Sequence, residues 1–333
     1  MLARGAVGCT LVLALTAAGA PRALARAVFS VQPAKASRSG YFILPATPGE
    51  TVRSSVEVLN VGNTAGSASV YSVDGTTGQT SGAVYRSRQE PRTDVGGWIG
   101  LSKTAVTLAP HGRAVIPFTI RVPGGAFAGQ HLGGIVVQPL TVSSRSIVRK
   151  TKHASFHVDI RELSIVAVQV NLPGARVVKL AITSLTASGI PGHQSLLIGL
   201  SNPGNVFVKG TGSLSVVNSS GKRVERQSFG LDTLVSHTHI SYPVYTAGKS
   251  LPGGRYTGVV SIIYRGRHLV RSFSFRITSA NQRQVFGAPP GQRDPSSSSS
   301  SNTVLYVLLG AAVALLAAIA FGLYLHLWSA RRT

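Results

Sequence analysis

The sequence predicts an all-β protein: two tandem Ig-like β-sandwich domains, with an N-terminal signal peptide and one C-terminal transmembrane helix. Three observations carry this expectation. Between Val28 and Thr278, apolar and polar residues alternate at period two in short runs bounded by Gly, Pro, Asn and Asp. Two landmark motifs occur twice within that stretch, in the same order. Both ends of the chain break the pattern in ways that suit export and anchoring.

Residues 1–25 read as a secretory signal peptide. Arg4 supplies a short basic region and Gly5–Ala20 an apolar run, while Ala23 and Ala25 place small residues before a cleavage at Arg26. An N-terminal anchor helix is the alternative, and the shortness of the run and Pro21 speak against it. The single cysteine, Cys9, lies in this segment, so the mature chain carries none. That excludes a disulfide scaffold and any cysteine-based metal cluster.

The body follows as strands. Val52, Val56 and Val58 share one face of Thr51–Leu59, and Ile116, Phe118, Ile120 and Val122 share one face of the next strong run. Pro117 in that run points to a sheet edge, because proline cannot donate to a ladder. Phe156, Val158 and Ile160 form a further stripe, as do Leu196, Ile198 and Leu200, and Phe273, Phe275 and Ile277.

Asn60-Val61-Gly62-Asn63 matches Asn202-Pro203-Gly204-Asn205. Val122-Pro123-Gly124-Gly125-Ala126-Phe127-Ala128-Gly129 matches Leu251-Pro252-Gly253-Gly254-Arg255-Tyr256-Thr257-Gly258. The first copy is 13 residues longer between these landmarks, and Gly75–Gly97 is the expected insertion. The expected domains are therefore 26–170 and 171–278; one large sandwich is the alternative.

Residues 279–302 read as a Ser/Pro/Gly stalk, with six consecutive serines at Ser296–Ser301. A transmembrane helix is expected over 303–328. Its charge-free stretch Val304–Leu325 would span about 33 Å as a helix. Arg331 and Arg332 in the tail, 329–333, set the expected topology with the C-terminus cytoplasmic and the body outside.

Of 33 basic residues, two lie in the signal and two in the tail. The remaining 29 share the body with all ten acids, leaving it at +19. So few carboxylates give little material for acid–base catalysis, and no nucleophile elbow or zinc-protease helix occurs. Asp159 and Glu162 fall on opposite faces of a strand, and the His153/His157 and His237/His239 pairs have too few neighbouring acids for a metal site. The expectation is a non-catalytic protein without metal or cofactor.

Two basic clusters are the candidate binding residues. Arg86, Arg88 and Arg92 lie in the insertion, flanked by Tyr85 and Trp98; Arg145, Arg149, Lys150 and Lys152 form the second cluster. Guanidinium groups pair with carboxylates and phosphates, and aromatic faces stack on sugars. Each cluster reads equally as solvated charge, and Trp98, beside Ile99 and Leu101, favours a core position over a ligand platform. Nucleic acid is not expected as a partner, since no recognised binding module is present. A membrane-proximal basic body is also suited to anionic headgroups.

The succession Tyr41-Phe42-Ile43-Leu44-Pro45, Pro48-Gly49-Glu50, Gly82-Ala83-Val84-Tyr85, Trp98-Ile99, Val106-Thr107-Leu108-Ala109-Pro110 and Leu132-Gly133-Gly134-Ile135 resembles the N-terminal domain of the WxL-interacting proteins of Gram-positive bacteria. The resemblance covers roughly Val28–Val170. It implies a surface protein whose first domain binds peptidoglycan and which acts beside WxL-domain proteins; the basic clusters suit peptidoglycan stems or an anionic wall polymer. The other expectation is a structural accessory subunit of a cell-surface complex, pairing with a surface-protein partner through exposed β-edges.

Overall fold

Alternating side chains leave each strand with one apolar face, which must close against a second sheet. In the computed structural model, which describes residues 26–35, 39–141, 149–151, 154–156, 162–247 and 250–286, this happens around two separate cores. The segments expected as signal peptide and transmembrane helix lie outside the described residues, as do Ala23, Ala25, Arg331 and Arg332. Among the described residues no helix is long and apolar enough to cross a membrane.

The N-terminal half begins with strands Phe29–Pro33 (β1), Phe42–Pro45 (β2), Thr51–Asn60 (β3), Gly66–Thr77 (β4) and Ala83–Tyr85 (β5). A single helical turn, Val95–Trp98 (α1), leads into Ile99–Leu101 (β6), Ala105–Leu108 (β7), Arg113–Arg121 (β8) and Gly129–Pro139 (β9). A separate hairpin, Arg149–Thr151 (β10) with Ala154–Phe156 (β11), precedes Ser164–Leu172 (β12). One sheet runs β1-β3-β8-β6; the facing sheet runs β2-β12-β9-β4-β5, with β7 also on β4. β2 joins β12 in parallel, whereas the neighbours in the rest of both sheets are antiparallel.

Where the side chains are described, the expected faces are the observed ones; the Phe156, Val158 and Ile160 stripe lies outside the described side chains. Val56, Val58, Ile116, Phe118 and Ile120 are buried, and the Phe42 ring meets Phe118 edge-on at 5.2 Å. Each such side chain contributes about 1.5–3 kcal/mol relative to exposure. Pro117 lies where β6 has just ended on that side of β8, and its carbonyl accepts from the Ser102 N–H at 3.0 Å. Its missing N–H therefore costs no ladder bond.

The C-terminal half contains Ala181–Ile190 (β13), His193–Asn202 (β14), Val208–Asn218 (β15), Arg223–Leu234 (β16), Thr238–Tyr245 (β17), Gly254–Tyr264 (β18) and Arg267–Ile277 (β19). Sheet β13-β14-β17 faces sheet β16-β15-β18-β19. Leu196, Ile198, Leu200, Leu214, Val260 and Ile262 fill the space between them. Phe273 and Phe275 are only partly buried, because β19 is an edge strand.

The segment read as the start of a stalk is instead a helix, Ser279–Phe286 (α2). Its first eight residues hold no Pro or Gly, and Thr278 caps them by exchanging hydrogen bonds with Asn281. The helix docks on β13: Val285 is buried, Asn281 donates to the Ala187 carbonyl, and Gly192 donates to the Val285 carbonyl.

The repeated motif has a repeated geometry. Asn60 and Asn202 are both buried, and each carboxamide oxygen accepts from the glycine two residues on, Gly62 or Gly204. Each Nδ2 donates to the carbonyl four residues on, Thr64 or Val206, and to the strand across, at Leu108 and Ala109 or at Leu234. The second asparagine of each motif repeats as well: Asn63 exchanges bonds with Arg26, and Asn205 with Val177.

The two halves touch through a hydrogen-bonded joint. Gln130 N–H donates to the Asn205 carbonyl at 2.7 Å, its Oε1 accepts from Phe207 N–H at 2.7 Å, and its carbonyl accepts from Ser236 Oγ at 3.0 Å. Beside it, Val235 N–H donates to Thr77 Oγ1, Thr77 to Thr238 Oγ1, and Thr238 to the Val235 carbonyl. Gly129, at φ 121°, has no room for a Cβ against Asn205.

Candidate functional site

The inserted segment, expected as an Arg-rich loop, is stitched onto the sheet containing β4 and β9. Asp74, buried in β4, accepts from the backbone N–H groups of Thr93 (2.5 Å), Asp94 (3.0 Å) and Gly96 (2.8 Å). Ser72 Oγ donates to the Gly96 carbonyl at 2.7 Å. These bonds satisfy backbone donors that would otherwise be stranded by burial, and they fix the loop and α1.

The Gly133-Gly134 pair of β9 makes room on both faces. A Cβ on Gly133 would stand 2.9 Å from Val95, which plugs the end of the core. One on Gly134 would stand 2.8 Å from the Tyr85 ring, which lies over the outer face. Burial first, and the nearby Tyr41 phenol second, push the Tyr85 phenol up to about 12. The folded value lies above the ordinary 10.0, so the stability contribution is intact below about pH 10 and is lost as pH rises through about 12. The expected loss is at most about 2 kcal/mol, given partial exposure. Tyr85→Phe is expected to remove both this loss in alkaline unfolding curves and a phenolate absorbance step near pH 12.

The three arginines of the loop occupy different environments. Arg86 pairs with Glu90 at 2.9 Å, and the Ser87 backbone N–H, followed by Arg86, holds the Glu90 carboxyl below its ordinary range. Arg88 lies over the Tyr71 ring, 4.6 Å from its centroid, and reaches Ser69 Oγ at 3.5 Å. Burial raises the Tyr71 phenol against the opposing charge of Arg88. Arg92 donates to Ser72 Oγ at 3.0 Å. Arg88 and Arg92 have no carboxylate partner among the described residues, so their charge is available to an external anion.

Trp98 packs against the N-terminal core, as its neighbours suggested, and its ring lies 4.8 Å from the His131 ring. His131 is fully buried. Its two ring nitrogens face Asp94 Oδ1 at 2.7 Å and the Phe127 carbonyl at 2.8 Å. The Phe127 ring lies 4.0 Å from His131 and 4.4 Å from His237 of the other half.

This aromatic group, with Asp74 and Asp94, was not legible in the sequence. The one available signal was the aromatic position of the doubled Pro-Gly-Gly motif. Its second occupant, Tyr256, is buried in the core, whereas Phe127 is 44% exposed.

The second basic cluster is not brought into this site by any described contact. Arg149 and Lys150 lie on β10, and Arg145 and Lys152 fall outside the described residues. No group of three or more His, Cys, Asp or Glu side chains capable of holding a metal occurs among the described residues.

Comparison with known proteins gives the following similarities. The chain is similar to the E. coli chaperone DraB at 12% identity and a TM-score of 0.32, covering 76% of this chain and 98% of that one. It is similar to the Pseudomonas aeruginosa CupB2 chaperone at 10% identity and a TM-score of 0.29, covering 71% and 97%. No curated protein matches the chain. Residues 29–139, which contain the Arg-rich loop, the Asp74 anchor and the His131 group, match the family described as WxL Interacting Protein, peptidoglycan binding domain.

Proposed function

We propose that the protein is a non-catalytic, membrane-anchored envelope protein whose first Ig-like domain, 26–170, binds peptidoglycan or an anionic wall polymer. The family match over residues 29–139 is the observation that carries this reading. Arg88 and Arg92 supply the charge, since they lack carboxylate partners among the described residues, and β4 steadies each of them, Arg88 over the Tyr71 ring and Arg92 on Ser72. Arg86, already paired with Glu90, contributes less. The second domain, 171–278, presents the first at a distance from the bilayer, with Val304–Leu325 as the anchor.

Sedimentation of the detergent-purified full chain with purified cell walls tests this. Binding is expected at low salt and is expected to weaken as salt rises. Arg88→Gln combined with Arg92→Gln is expected to weaken it about tenfold, and Arg86→Gln much less. Absence of sedimentation at the lowest salt would remove the reading.

A further inference from the structure

The C-terminal half carries a charge arrangement that its own residues do not balance. Residues 175–286 contain thirteen Arg and Lys against two acids, Glu225 and Asp232. Both acids are already engaged. Glu225 is buried and accepts from Arg226 N–H and Gln227 Nε2, and Asp232 pairs with Lys209 at 2.6 Å.

Within this surplus, Arg255 of β18 and Arg276 of β19 are direct cross-strand partners. Their neighbours Tyr256 and Ile277 turn into the core, so both arginines project from the opposite, outward face. Like charges directly opposite each other on a sheet are destabilising. Among the described residues neither guanidinium has a hydrogen-bond or ion-pair partner.

The pair lines an open cleft of about 510 Å³ together with Ser219, Thr257 and Ser274. Among the described residues these three hydroxyls have no side-chain partners either. The cleft is closed on one side by the β15–β16 turn, where Asn218 Oδ1 accepts from Ser220 and Lys222 N–H and so holds the turn in shape. Two planar forks and three hydroxyls around one space offer more donors than a carboxylate's two oxygens use. They match a tetrahedral oxyanion, whose oxygens can be shared between both forks.

We propose that the Arg255–Arg276 cleft is a phosphate-binding site, separate from the surface on residues 29–139. The bound anion relieves the repulsion between the two arginines, so occupancy also stabilises the C-terminal half. This inference does not depend on the wall-binding reading, because its probe is inorganic phosphate rather than wall material.

The test is thermal unfolding of the detergent-purified full chain, titrated with inorganic phosphate and, at matched ionic strength, with acetate. A saturable upward shift in Tm with phosphate, larger than with acetate, is expected. The double variant Arg255→Gln, Arg276→Gln is expected to unfold no earlier than the parent without phosphate and to need about tenfold more phosphate for the same shift. Arg255→Lys, which keeps the charge but loses one fork, is expected to fall between them.

Equal shifts with phosphate and acetate, or an unchanged phosphate response in the double variant, would overturn the proposal. Soluble polyphosphate and phosphatidylglycerol vesicles, compared on parent and double variant, distinguish a polymer-borne phosphate from a lipid headgroup.

Discussion

Asn60→Ala is expected to destabilise the N-terminal half by about 4 kcal/mol, among the largest effects of any single substitution in the chain. The carboxamide is buried and makes five hydrogen bonds: Val28 and Gly62 N–H groups donate to its oxygen, and its nitrogen donates to the carbonyls of Thr64, Leu108 and Ala109. Alanine leaves these backbone groups without that partner, and a buried unsatisfied group costs about 1–3 kcal/mol. The sum is not additive, because the loop can relax and admit water.

Asn60→Asp separates hydrogen bonding from shape. It keeps the acceptor for Gly62 and Val28 but turns a carboxylate oxygen toward three carbonyls, so it is expected to destabilise at least as much at neutral pH. Urea midpoints measure both. Asn202→Ala is expected to act in the same direction on the C-terminal half, with a smaller effect. Fewer bonds are lost there: one to the oxygen and two from the nitrogen. A loss under about 1 kcal/mol for Asn60→Ala would show that the motif is not the pin the geometry describes.

Asp74→Ala is the second large expectation, at about 3 kcal/mol, and it has a functional consequence. Asp74 receives three backbone N–H groups from residues 93–96, and these bonds are what tie the Arg-rich segment to the sheet. Without them the amides of Thr93, Asp94 and Gly96 are expected to exchange with solvent faster than the neighbouring strand β9. Wall sedimentation is expected to fall further than the loss of folded protein explains, because ordering the loop then has to be met from binding energy. Asp74→Asn, which replaces one acceptor oxygen by a donor facing an N–H, is expected to lie between. Unchanged exchange at residues 93–96 in Asp74→Ala would refute the anchoring role.

The buried faces of the body were legible because strand geometry is local. A period of two places Ile116, Phe118 and Ile120 on one side whatever they later meet, and all three are buried. The doubled Asn-x-Gly-Asn motif was legible for a similar reason: its core bond, from Gly62 or Gly204 N–H to the asparagine oxygen, spans only two residues. Where local signals competed, the reading fell short. The Ser/Pro/Gly composition of 279–302 pointed to a stalk, yet its first eight residues form α2, because Val285 finds a pocket over Gly189 on a strand far away in the chain.

By itself, the sequence determined the all-β class, the inward faces of the strands, the doubled motif and the scarcity of acids. It also marked Tyr85, Arg86, Arg88, Arg92 and Trp98 as one segment of interest. Tertiary structure alone decided what each of these meets. It placed Arg86 on Glu90, Arg88 over Tyr71 and Arg92 on Ser72, and it gathered His131, Asp94 and Phe127 from separate elements. It also set Arg255 opposite Arg276, a pairing fixed by the register of β18 against β19. The physical reason is the same throughout. Alternation specifies the face a side chain occupies, whereas its partner depends on register and on contacts between residues remote in sequence, which no short-range pattern encodes.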